Sequence, residues 1–430
     1  MVDEPEPDIP YNNLREWVEQ EGFRLSPDEE SSFHTAIDQI ICSCSPYLQV
    51  LGLGEPFHGG RDILKFRNRL FFYLVDNYGF RSIAIESSFT RGLMVQEYIC
   101  DSGKSGYDNI LDTGFSHGFG YFPENRELVE WMKAYNNNLS NTEKLRFYGF
   151  DAPAEMTMTD SPRLVLIRAI DYLMMVDKQA GQEYLDRIIP LIGDDDAWEN
   201  PDAMMDPSKS IGLSPTAAAL RIAVEELVTD LDIRRPEYVP LTGEEGYTAA
   251  HISATLARLL LTYHACIARK AENRIARCLG IRDLMMAEIL EYIVRTEENR
   301  GKIFAFAHNS HLKCGKSEWN LGKNLLTWWP AGSHLRERIG TGYAVIGSGI
   351  GKSQIHGIGD PEPGTIEGEL ANYPGPITMI PTKNGKSLVS GISRDIPVRS
   401  VCQQNPGYFP FTNESINEYD WLVFFPNLIA

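Results

Sequence analysis

Glu55 and His58 stand three residues apart in LGLGEPFHGGRD (51–62), directly after an apolar run that stops at Gly54. A carboxylate and an imidazole at that spacing on a loop could serve as a catalytic base and its orienting partner. A histidine of near-neutral pKa can take a proton from water. A carboxylate bonded to its other ring nitrogen fixes the tautomer and stabilises the imidazolium that forms. Three further apolar runs end in the same kind of residue. Run 81–86 closes on Glu86, run 144–150 is followed by Asp151, and run 302–307 is followed by His308, with His311 three residues on. Taken singly, each has an ordinary structural explanation: Asp151 reads well as a helix cap or turn residue, and a lone histidine can satisfy a backbone carbonyl. Their convergence is what points to chemistry. Arg67, nine residues after His58 on a predicted helix, could stabilise the oxyanion formed when water adds to an ester carbonyl; by itself it reads equally as a solvated helix arginine.

Metal binding competes with this reading, because Glu55, His58, Glu86, His308 and His311 are all plausible oxygen or nitrogen ligands. No H-E-x-x-H occurs, and His308-x-x-His311 alone is weak. No G-x-S-x-G elbow supports a serine nucleophile. Gly349-Ile350-Gly351-Lys352-Ser353 lacks the spacing of a phosphate-binding loop, and Gly52 and Gly54 are followed by Pro56-Phe57 rather than by a third glycine.

The elements that must position these residues are short apolar runs at 48–54, 81–86, 144–150, 302–307, 342–347 and 421–425. Near-continuous apolarity suits strands buried on both faces, as in a parallel sheet. Segments 61–78 and 124–137 carry apolar residues at helical spacing between them. The expectation is an α/β fold, a mostly parallel sheet flanked by helices. Such sheets bind ligands outside the carboxyl ends of their strands, where the acids and histidines fall. The stretch 156–298 reads as helix after helix: Ser214-Pro215 is an N-cap with proline at the first helical position, Leu220, Val224, Leu227 and Leu231 line one face, and Leu256, Leu260, Tyr263 and Ile267 another. The expected organisation is a mobile acidic leader over 1–10, a first part of the α/β core over 11–155, a helical insertion over 156–298 covering the cleft, and the rest of the core over 299–430. Residues 193–210 read as a long polar loop, and 350–415 is poorly specified apart from β-prone pieces such as 376–381.

The 430 residues are 43% apolar, enough for a large core, and carry a net charge of -19. That acidity excludes nucleic acid as an expected partner, since phosphate attraction needs a basic face. Seven scattered cysteines argue against a disulfide framework, and Cys42-x-Cys44 falls within a helical pattern. The longest apolar candidate, 256–267, is interrupted by Arg258 and His264 and is too short to span a membrane. The expected setting is soluble and cytoplasmic, with a small-molecule partner and no cofactor; the oligomeric state is open.

The joint spacing resembles the erythromycin esterase family. The resemblance rests on Gly54-Glu55-Pro56-Phe57-His58, Arg67, Glu86 and Ala307-His308-Asn309-Ser310-His311. Phe147-Tyr148-Gly149-Phe150-Asp151, Arg282-Asp283-Leu284-Met285-Met286-Ala287-Glu288, Gly332-Ser333-His334-Leu335-Arg336 and Gly342-Tyr343 add to it. It implies metal-independent hydrolysis of a macrocyclic lactone ester, with His58 as general base on water and Glu55 and Glu86 orienting it or the water. Arg67 and His308 would position or polarise the carbonyl, while His311 and Asp151 would support or bind the substrate. Pro56-Phe57 departs from the family's small or polar pair, so a large ring beside the base is expected to narrow the pocket or change its substrate. Two other readings of the same crevice are a metal- or ligand-binding protein without hydrolysis and a biosynthetic group-transfer enzyme.

Overall fold

The six apolar runs form six contiguous parallel strands of an eight-stranded sheet. The computed structural model describes residues 11–26, 29–100, 106–137, 139–140, 143–154, 159–382, 396–400 and 405–429; the expected leader 1–10 and Cys402 lie outside them. In chain order the elements are α1 (Leu14–Glu21), β1 (Phe23–Leu25), α2 (Glu30–Ser43), β2 (Val50–Glu55), α3 (Arg61–Tyr78), β3 (Phe80–Ser88), α4 (Phe89–Cys100), α5 (Pro123–Asn136) and β4 (Arg146–Asp151). A helical run follows: α6 (Arg163–Val176), α7 (Lys178–Ile192), α8 (Pro215–Ile233), α9 (Arg235–Ile267) and α10 (Arg274–Glu297). The chain then returns to the sheet with β5 (Lys302–His308), α11 (Asn309–Leu312), the hairpin β6 (Ser317–Leu321) and β7 (Asn324–Trp328), α12 (Ala331–Ile339), β8 (Tyr343–Lys352), α13 (Ile366–Asn372), β9 (Ile377–Pro381) and β10 (Trp421–Asn427). The strand order is β1-β9-β10-β8-β2-β5-β3-β4. Only β9 runs against its neighbours, pairing antiparallel with both β10 and β1.

The two faces of the sheet are built differently. Leu51, Leu53, Phe304 and Phe306 point into a core shared with α2, α3 and α5. The alternate positions on the same strands are small: Gly52, Gly54, Ala305 and Ala307. That flat face lets α10 pack close over β3, β4 and β5, and there the sheet joins the core of the helical run. Fully burying a phenylalanine such as Phe304 stabilises by roughly 1.5–3 kcal/mol. Gly54 is required by close approach, because a Cβ there would sit 2.2 Å from Asn309 Oδ1. Asn309 in turn laces the end of β5 to β8, with Nδ2 donating to Ser348 O at 2.7 Å and Ser348 N donating to Oδ1 at 3.1 Å.

Several expectations are refined. The α3 limits match the predicted helix, and α5 begins on Pro123. Ser214 caps α8 by accepting from Ala217 N, with Pro215 at the first helical position. Residues 193–210, expected as a loop, form successive 3-10 turns, each opened by a side-chain cap from Asp194, Asn200 or Asp206. Strand β8 runs on to Lys352, into the tract left unspecified. Among the described residues no helix is long and apolar enough to cross a membrane.

Candidate active site

Sheet register places the predicted acids and histidines side by side. Glu55 and His308 are paired residues at the ends of adjacent strands β2 and β5. Glu86 lies on β3, the other neighbour of β5, and Asp151 ends β4 one strand further on. After β2 the chain turns at Gly59, whose φ of +86° favours glycine. The turn carries His58 back over the strand ends, where its Nδ1–H donates to Glu55 Oε1 at 2.7 Å. His58 Nε2 is 3.8 Å from Glu86 Oε1, beyond hydrogen-bond reach. The ring is flanked by Phe119 at 5.3 Å, His308 at 5.5 Å and His117 at 6.2 Å between centroids. The His58 side chain is 38% exposed, whereas those of Glu55 and Glu86 are 3% and 2% exposed. A solute entering the crevice therefore meets the imidazole before the carboxylates behind it.

Glu86 is the hub of the buried charges. Its Oε2 accepts from His308 N at 2.7 Å, and its Oε1 accepts from Arg282 Nη2 at 2.9 Å and lies 3.3 Å from His311 Nε2. Burial would raise its pKa, but His311, His58 and Arg282 outweigh burial and hold it well below the ordinary carboxylate range. Burial, joined by the nearby Glu86 charge, raises Glu55 against the opposing pull of His58 and Arg67. For His58, desolvation opposes the charged ring, yet the carboxylates of Glu86 and Glu55 overcome it and raise its pKa. The buried His311 is likewise raised, to about 10: desolvation opposes charge, but Asp283 and Glu86 prevail.

Two consecutive residues of α10 complete this network. Arg282 donates from Nε to Asp151 Oδ1 at 2.9 Å and from Nη2 to Asp151 Oδ2 at 2.7 Å, besides its bond to Glu86. Asp283 accepts from His311 Nδ1 at 2.9 Å, from Trp328 Nε1 at 2.7 Å and from the Ala331 backbone N–H at 2.8 Å. The helix thus inserts one cation and one anion into the end of the sheet, each met by opposite charge. Both stand in the 282–288 stretch that carries part of the family resemblance, but the sequence reading gives neither a role in the site. Their available signal is a charged pair, Arg282-Asp283, within the apolar stripe of Cys278, Ile281, Met285, Met286 and Ile289.

The remaining expected residues fall in distinct places. His308 is buried, with Nε2–H facing the carbonyls of Pro56 at 3.2 Å and Gly407 at 3.1 Å and Nδ1 accepting from Ser310 Oγ at 2.6 Å. Burial lowers its pKa to about 3, so the ring is neutral and joins the β2 loop to the segment around Gly407. Arg67 is buried behind Glu55, its guanidinium held by Asn68 Oδ1 and Asn125 Oδ1 over the Phe306 ring; it shares a small recess with Glu55 and Glu86. His311 and Asp151 are both buried in the ionic network. Pro56-Phe57 differs from expectation. The Phe57 ring is 2% exposed and packs into the core on the α3 face, 4.6 Å from the His356 ring. It therefore leaves the crevice unobstructed, and Pro56 contributes its carbonyl.

His117 also escapes the sequence reading, since it stands alone in a glycine-rich loop with no telling spacing. Its Nε2–H donates to Asp151 Oδ2 at 2.9 Å. It is the only non-glycine residue with positive φ among the described residues, at +56°. Ser116 ties its loop to β3, accepting from Ser88 N at 2.9 Å and donating its own N–H to Ser87 Oγ at 2.9 Å. Beyond Phe409, whose ring meets His308 edge-on at 4.8 Å, a cavity of about 510 Å³ is lined by Ser310, Trp319, Phe409, Phe411 and Tyr419.

Comparison with known proteins agrees with this architecture. Over 343 residues the chain is 22% identical to the type II erythromycin esterase of Escherichia coli, covering 78% of this chain and 76% of that protein. Over 319 residues it is 23% identical to the type I enzyme of the same organism, covering 70% of each. Among solved structures, a Bacillus cereus protein superposes with a TM-score of 0.69 at 18% identity, covering 98% of both chains. A histidine variant of the erythromycin esterase EreC in its open conformation superposes with a TM-score of 0.66 at 18% identity, covering 94% of this chain and 95% of that one. The family model described as erythromycin esterase matches residues 75–428, and the chain belongs to that family.

Proposed function

We propose that this protein hydrolyses a carboxylic ester, with a macrocyclic lactone of the erythromycin type as the leading substrate class, by attack of water activated by His58. The observation that carries this reading is the 2.7 Å bond from the half-exposed His58 imidazole to the buried Glu55. With Nδ1–H held by Glu55, Nε2 is the basic nitrogen facing the crevice. It takes a proton as the water oxygen bonds to the carbonyl carbon, and returns it to the departing alkoxide when the tetrahedral adduct collapses. Glu55 and Glu86 together stabilise the imidazolium formed between the two steps. The cavity beyond Phe409 adjoins the site through Ser310 and offers room for a bulky ester. Family membership supports the substrate class.

The direct test is incubation with a panel of macrolides followed by mass analysis. Addition of one water to a lactone is expected, unchanged after prolonged treatment with a chelator. No water added to any member of the panel would count against the substrate class. Activity lost to the chelator and restored by one metal would favour the metal-dependent alternative.

The pH profile provides a second check. His58 acts as the unprotonated base, so kcat/KM should rise with pH through its pKa. Because that pKa is raised by the neighbouring carboxylates, the acid limb is expected above the ordinary histidine value of about 6.5. Glu86→Gln removes one negative charge and should move the limb to lower pH; an unmoved limb would assign the titration to another group.

A further inference from the structure

The charges at the end of β3 and β4 have the composition of a metal site with a guanidinium in it. Glu86, His117 and Asp151 offer ligand atoms within 4.8 Å of one another. Two carboxylates and an imidazole are a common donor set for zinc, cobalt or manganese. Here a single nitrogen, Arg282 Nη2, already reaches two of the three groups, at 2.9 Å from Glu86 Oε1 and 2.7 Å from Asp151 Oδ2. The same Asp151 oxygen accepts from His117 Nε2.

We propose that Arg282 is the resident cation of this site, a positioning residue whose guanidinium takes the place a divalent metal ion would occupy among Glu86, Asp151 and His117. Two buried carboxylates this close cannot both stay ionised without a cation between them. A metal would supply that charge only when bound; an arginine on α10 supplies it permanently. It also fixes direction, because the planar fork binds Asp151 through two nitrogens and Glu86 through one of them. Together with His311 and His58, the guanidinium keeps Glu86 anionic, and it holds that carboxylate between the two rings. The guanidinium enters from the helical run rather than from the sheet, so the charge of the base depends on α10 being docked against β3 and β4. The neighbouring Asp283 strengthens that docking through His311, Trp328 and Ala331.

The inference deepens the proposed hydrolysis, but its test needs no substrate, so failure of one is distinguishable from failure of the other. Purified chain is titrated with Co²⁺ and the visible d–d absorption recorded. Wild type and Arg282→Lys, which keeps a cation in place, should show no band from this site. Arg282→Met should bind one ion per chain with a tetrahedral or five-coordinate band, and adding His117→Ala should remove that band. A folded Arg282→Met that takes up no Co²⁺ overturns the proposal. So does a wild-type band that His117→Ala abolishes, or an Arg282→Lys variant that binds Co²⁺ as Arg282→Met does. If Arg282→Met is recovered unfolded, refolding with and without Co²⁺ decides the question: recovery only with the ion is expected, while equal recovery, or none in either case, overturns the assignment.

Discussion

His58→Ala is expected to lower kcat/KM for a hydrolysed ester by about 10²–10⁴-fold, the range ascribed to a positioned general base, with the fold intact. The imidazole is half-exposed on the loop between β2 and α3, and its polar contact within the site is to Glu55. Its removal opens no core cavity, so the midpoint of thermal unfolding should remain close to that of wild type. Circular dichroism melting and turnover measured on the same preparation separate the two effects. Wild-type turnover by His58→Ala would remove this residue from the mechanism. An equal loss of turnover and stability would assign it a structural role instead.

Asp283→Ala is expected to have the largest effect on stability. The carboxylate is fully buried and is bonded to His311, the Trp328 indole and the first backbone N–H of α12. Its loss strands a buried cationic imidazole beside Arg282 and leaves the indole and backbone donors without their acceptor. Breaking a buried ion pair by removing one partner costs about 3–5 kcal/mol, which urea unfolding should register. A pH signature distinguishes this from simple loss of packing. The folded pKa of His311 is raised to about 10 from an ordinary value of about 6.5. The stability it contributes is therefore fully present below about pH 6.5 and is lost as pH rises through about 10. Asp283→Ala should flatten that alkaline decline. A variant within about 1 kcal/mol of wild type at neutral pH, with the decline unchanged, would show that Asp283 does not hold the His311 charge.

Much of the architecture is legible because a parallel sheet buried on both faces leaves an unmistakable pattern. The near-continuous apolar runs that become β2, β3, β4, β5, β8 and β10 end where punctuation begins, and the residues after them lie at the carboxyl edge. The strands that escape are those without such runs. Strand β1 is three residues long, and the hairpin β6–β7 is largely exposed, its apolar residues broken up by polar ones. Strand β9 is different: it coincides with the β-prone piece at 376–381, but its place in the sheet is fixed by pairing with β10 and β1. The site divides in the same way. Glu55, His58, Glu86, Asp151, His308 and His311 are tied to strand ends, so their convergence follows once the strands are placed. Phe57 shows the limit of spacing: residue type suggested a ring in the crevice, but the turn at Gly59 sends that ring into the core.

Local pattern and short spacing in the sequence thus determine the six parallel strands, the acids and histidines at their carboxyl edge and the family the chain resembles. Only the tertiary structure decided what each of those groups is bonded to. Arg282 reaches Glu86 and Asp151 across 196 and 131 residues, and Asp283 reaches His311 across 28. His117 is brought to Asp151 by a loop tied to β3 through Ser87, Ser88 and Ser116. Such pairings are set by how α10 packs on the small-residue face of the sheet, and packing between distant segments leaves no periodicity in the chain to read.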